Sequence, residues 1–215
     1  KITEKEGNKF MKISEVGFRV VYKSFAVFPI GDFEESVKDY LGVEDANCML
    51  TYGYIDVEQG LTLEVIALGK QKGDSAVFFD SCDDRRFFIR AGAVINEEFV
   101  AIGNGIEEFK ERYSDKIDII AYYDAEDDVE ITRTWNKIDK IRHPEFPDDV
   151  LVGIMKEGLQ PEGCWVRIKE LNEGKIMGTL LNEPTQDFGC HEGDLIPFKL
   201  FEKKDGSIAA ASYFK

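Results

Sequence analysis

The chain has 215 residues, 43% of them apolar and 12% aromatic, which is material for a packed core and excludes a disordered polymer. Lys and Arg number 27 against 42 Asp and Glu, a formal net charge of −15, and that sign argues against binding through a nucleic-acid backbone, which needs counter-charge. No apolar run reaches the roughly eighteen residues of a membrane-spanning helix, and residues 1–6 lack the apolar stretch of a signal peptide, so a cytoplasmic protein with no membrane role is expected.

In chain order, either Met11 is an internal start or residues 1–10 are a processed remnant or a solvated arm. Residues 16–22 and 25–28 are short β-branched and aromatic runs closed by Pro29, and they predict one or two strands. Asp32, with Glu35 three residues on, offers an N-cap for a helix carrying Phe33, Val37, Tyr40 and Leu41 on one face, and Gly42 stops it. Residues 49–57 and 61–68 read as a hairpin about Glu58, Gln59 and Gly60, although the second strand alternates only partly. Ile106, Phe109 and Tyr113 fall at helical spacing, and residues 117–123 read as a strand. The acidic run 124–130 reads as a solvated loop; its spacing does not fit a calcium loop.

Pro144 and Pro147 interrupt any regular element, and the sequence places a boundary there, between an α+β domain over 11–140 and a small β-rich module over 148–215. Asp148 or Asp149 is expected to cap a helix with Val150, Leu151, Ile154 and Met155 as its apolar stripe. Four strand candidates follow at 164–171, 175–181, 195–201 and 208–214, a meander short enough to curl into a barrel. The expected fold class is therefore α+β: a mixed or antiparallel sheet with two short helices, then a helix and a C-terminal β meander or barrel.

Three pieces of the last third, Cys164-Trp165-Val166, Gly178-Thr179-Leu180-Leu181-Asn182-Glu183-Pro184 and Gly193-Asp194, stand in order. Together they resemble an uncharacterised bacterial family of small β domains. The resemblance implies a β-rich module appended to another domain, with no established catalytic chemistry. The loop at 186–191, which carries Cys190 and His191, departs from that family's pattern.

Cys48, Cys82, Cys164 and Cys190 are too widely spaced for a paired zinc or redox motif and read as free core thiols, so no metal or cofactor is expected. No phosphate loop, dinucleotide fingerprint, nucleophile elbow or zinc-protease helix is present. Helix-terminal binding of an anion after Gly103 is opposed by Glu107 and Glu108. In the strand from Cys164, period two sets Trp165, Arg167 and Lys169 on one side. That side is either an interaction patch or a surface packed beneath the helix expected at 150–155. Asp80, Cys82, Asp83, Asp84, Arg85 and Arg86 form the densest reactive group, read as the tip of a hairpin or as an enzyme or ligand site with a lowered thiol pKa. The preferred expectation is a non-catalytic interaction or immunity-type protein whose acidity steers a basic protein partner; the bland alternative is that acidity serves solubility.

Overall fold

A computed structural model describes residues 10–33, 35–37, 45–73, 75–79, 86–103 and 106–215. The chain divides into two compact units that meet between Asp124 and Ala125.

In the first unit, β1 (Phe25–Pro29), β2 (Cys48–Asp56), β3 (Gly60–Lys72), β4 (Ser75–Phe79) and β6 (Val100–Ala101) form an antiparallel sheet in the order β4-β3-β2-β1-β6. The short β5 (Phe88–Arg90) shares the outer edge of β3 with β4. The β2–β3 hairpin turns at Asp56, whose Oδ1 accepts the amides of Glu58 and Gln59 at 2.9 and 3.1 Å, and Gly60 continues with a positive φ of 78°. A β-bulge explains the imperfect alternation of β3. Leu50 pairs with Ala67 and Thr51 with Val65, so Ile66 is the extra residue. Leu61, Leu63, Val65 and Leu68 consequently join one core, while Ile66 and Ala67 join the other.

Both faces of the sheet are covered, which is why β2 and β3 read as nearly continuous apolar runs. One face packs on α1 (Ile13–Val16), a 3₁₀ turn at Phe18–Val20 and residues around Val94 and Phe99, whose ring stacks on Phe28 at 4.9 Å. The other face packs on α2 (Ile106–Arg112) and α3 (Ser114–Ile120), through Phe109, Tyr113, Ile117 and Ile120. Residues 16–22 are thus the end of α1 and a 3₁₀ turn in place of the expected strand, and 117–123 are helix where a strand was predicted. Ile117 and Ile120 lie three apart and face the sheet, a helical repeat that the β-branched composition masks. Of the helix expected over 32–41, a 3₁₀ turn at Gly31–Phe33 and helical residues 35–37 fall within the described residues.

The second unit is a closed five-stranded barrel of β7 (Asp149–Lys156), β8 (Glu162–Asn172), β9 (Lys175–Leu180), β10 (Leu195–Glu202) and β11 (Ile208–Phe214). Neighbours along the chain pair antiparallel, and β11 closes on β7 in parallel, as an odd-numbered meander must. The helix predicted at 150–155 is therefore wrong: that segment is β7, with Val150, Val152 and Ile154 buried and Leu151 exposed, a period of two. Inward residues Cys164, Val166, Ile168, Ile176, Leu180, Ile196 and Phe198 fill the barrel.

Two further segments join this core, Val129 from α4 (Asp127–Arg133) and Ile138 from a 3₁₀ turn at Asn136–Ile141. The acidic run expected as a solvated loop is instead the start of α4, where Asp127, Asp128 and Glu130 suit the positive end of the helix dipole. Asp128 also accepts the Leu171 amide at 2.9 Å. Residues 125–140, assigned by sequence to the first domain, lie with the barrel, and so does the proline segment. That segment is tied down by paired charges. Arg133 grips Asp148 through Nε at 2.9 Å and Nη2 at 2.6 Å, Arg142 donates to the carbonyls of Pro147 and Thr132, and Arg167 grips Asp149 at 2.7 and 2.9 Å. Among the described residues no helix is long and apolar enough to cross a membrane.

Candidate functional site

Trp165 and Arg167 stand on the outer side of β8, and the cross-strand register shows what surrounds them. Leu151 pairs with Trp165, whose carbonyl accepts the Leu181 amide at 2.9 Å; Arg167 lies between Asp149 and Thr179, and Thr179 pairs with Leu195. Trp165 is half-buried, with the His143 ring against it edge to face at 5.2 Å. His143 in turn touches Phe146, over which the Arg167 guanidinium lies at 5.9 Å. His143 Nδ1 accepts the amides of Glu145 and Phe146 at 3.2 Å, which places the neutral ring's proton on Nε2. The result is an ordered apolar patch with Leu151 (43% exposed) and Leu195 (53%) at its rim. Lys169 does not join it. A bulge between Ile168 and Glu170 leaves Lys169 as the extra residue, so the cationic row expected by strict alternation ends at Arg167.

Of the reactive island, Asp80, Cys82, Asp83, Asp84 and Arg85 lie outside the described residues. Arg86 is described, and its Nε and Nη2 hold both oxygens of the buried Glu64 at 2.8 and 2.9 Å. Those hydrogen bonds raise its pKa further, so it is a fixed cation whose fork is already filled. Next to this pair Arg90 donates to Thr62 and lies 3.7 Å from Asp56, and Tyr54 packs 4.6 Å from the Tyr123 ring. Burial first, then the Glu64 charge, pushes the Tyr54 hydroxyl up, keeping it neutral.

The three described thiols are buried and free. Burial raises Cys48 to about 11 and raises Cys164 and Cys190 as well, the reverse of what a nucleophilic cysteine requires. Cys190 enters the barrel core while His191 faces solvent, so the one Cys-His neighbour pair cannot share a ligand. Among the described residues no group of three His, Cys, Asp or Glu is placed to hold a metal ion.

Two surfaces were not singled out by the sequence. The outer side of α2, α3 and the turn after them exposes Glu107, Glu108, Glu111, Asp115 and Asp118, with Ile119 (52% exposed) and Tyr122 (88%) among them. The cations there are engaged: Lys110 with Glu107 at 3.1 Å, Lys116 with the Ile66 carbonyl at 2.7 Å, and Arg112 over the Tyr113 ring at 5.3 Å. The helical spacing of Ile119 and Tyr122 was the available signal, hidden because the segment reads as a strand. On the barrel, a groove of about 360 Å³ gathers Trp135, three lysines and three aliphatic side chains. Compared with protein-family models, with curated proteins and with solved structures, the chain matches none.

Proposed function

We propose that this is a non-catalytic, cytoplasmic bacterial protein that docks a basic protein partner through the acidic helical face of its first unit, in the manner of an immunity protein neutralising a basic toxin. One observation carries the reading: α2, α3 and the turn after them expose five carboxylates together with two large side chains, Ile119 and Tyr122. Aromatic anchors within a charged rim are the usual composition of a binding hot spot, and a field of one sign accelerates encounter with a partner of the other. The first unit carries 24 Asp and Glu against 15 Lys and Arg, so the field extends beyond the helices. The same field repels nucleic acid. The small β module, like the family it resembles, contributes a scaffold with no catalytic group of its own. The competing enzyme or ligand-site reading, built on the 80–86 loop, draws from the described residues only Arg86, already closed by Glu64.

The test is affinity capture from native lysate at low and high salt, with Tyr122→Ala and the double variant Asp115→Lys/Asp118→Lys alongside. The expected result is a basic protein retained at low salt, released at high salt and retained at least about ten-fold less by either variant. Recovery of no protein, or of one indifferent to both salt and substitution, overturns the reading.

A further inference from the structure

The barrel groove carries the opposite sign from the rest of the molecule. Lys137, Lys175 and Lys199 line it with a single acid, Glu173, in a protein of net charge −15. Its apolar part is Leu171, Ile176, Leu200 and the Trp135 indole. The β8–β9 hairpin makes one wall: Asn172 pairs with Lys175 across a two-residue turn, Glu173 and Gly174, both at positive φ (46° and 76°), which sets Lys175 at the lip. Lys199 comes from β10 and Trp135 from the segment before the 3₁₀ turn, so three separate elements converge. Lys137 lies 5.2 Å from the centre of the Trp135 ring. Among the described residues neither Lys175 nor Lys199 is held by a carboxylate.

We infer that this groove binds a small aromatic anion, its ring against Trp135 and the aliphatic side chains and its carboxylate, sulfonate or phosphate between Lys175 and Lys199. The volume lies near the lower end of small-molecule pockets, room for a ring and an acid group rather than a protein helix. The apolar floor favours the ring, and the local excess of ammonium groups fixes which end is charged. A neutral aromatic gains only the floor, and a bare anion only exposed lysines, whose interaction with it in water is weak. Both parts are therefore needed for appreciable binding. The groove lies within the second unit, and the inference stands apart from the partner proposed for the first.

Trp135 and Trp165 are the two tryptophans, so the full chain with Trp165→Phe reports on Trp135 by fluorescence. Titration with naphthalenesulfonate is expected to quench it saturably, with binding at least about ten-fold weaker in Lys175→Gln/Lys199→Gln and no saturation by neutral naphthylmethanol. Calorimetry on the chain with both tryptophans, with and without the two lysine substitutions, gives the same comparison should Trp165→Phe unfold. No saturable binding, equal binding of the neutral compound, equal binding by the lysine variant, or full competition by inorganic phosphate alone each overturns the assignment.

Discussion

His191 and Glu183 show how an exposed pair can fasten a long loop. Glu183 Oε1 lies 2.8 Å from His191 Nδ1, and Oε2 accepts the Glu192 amide at 2.8 Å. The hydrogen bond to Glu183, then its charge, holds the imidazole above its ordinary 6.5, and the Glu192 amide, then His191, holds the carboxylate below 4.5. A raised histidine stabilises the fold fully below pH 6.5, and this contribution fades as pH rises through the folded value. The lowered glutamate works in reverse: its contribution is present above 4.5 and fades as pH falls through its folded value. Between those limits both members are charged. An NMR titration should therefore place the His191 midpoint above 6.5 in the intact chain and lower in Glu183→Gln; equal midpoints would mean that the pair does not form in solution. The sequence marks Cys190 and His191 as neighbours, yet only the barrel reveals that one points into the core and the other out.

At the scale of the element, most strands were legible because their apolar residues alternate or run continuously between turn residues. Two of the failures share one cause: a pattern that fits two periods. Val150, Leu151, Ile154 and Met155 make an acceptable helical stripe, but Val150, Val152 and Ile154 also make an alternating one. What decides is non-local, the register of Asp149 against Arg167 and of Ser212 against Ile154. Residues 117–123 failed in the other direction, since β-branched composition outweighed the three-residue spacing that packs Ile117 and Ile120 on the sheet. Gly53 lies within a strand as expected, and its role shows only in the structure. Mid-strand glycine weakens a strand, but here the chain before β1 crosses over β2, with the Lys23 amide on the Gly53 carbonyl at 2.8 Å. A Cβ at 53 would stand 2.2 Å from the Val21 carbonyl oxygen. Gly53→Ala is therefore expected to cost about 3 kcal/mol by forcing the crossing segment off the sheet, measured as a lower urea midpoint at unchanged slope; an unchanged midpoint would mean that this crossing is not held in solution.

For the whole molecule, the sequence foresaw the sheet-then-barrel order, but it expected one interior for each part where the sheet has a core on either face, and it took the prolines for the joint. Pro144 and Pro147 instead sit inside a loop braced by Arg133, Arg142 and Arg167, so they mark rigidity within the second unit. Removing one partner from a buried ion pair such as Arg133–Asp148 leaves an uncompensated charge, which is why such a loop stays in place once built. Since the barrel has its own closed core, a fragment of residues 125–215 is expected to fold alone, with a β-rich circular dichroism spectrum and one cooperative thermal transition. A fragment with dispersed, non-cooperative melting would show that the core needs the first unit.

Closure of that barrel by a parallel β7–β11 pair also sets an order of events during synthesis. The described strands of the first unit's sheet are all present once Ala101 has left the ribosome, and the described helical cover by Ile120. β7 emerges soon after, yet its second neighbour is more than fifty residues away, so it must wait with one raw edge until β11 is translated. Through that interval the unpaired edge of β7 is exposed to pairing with another chain.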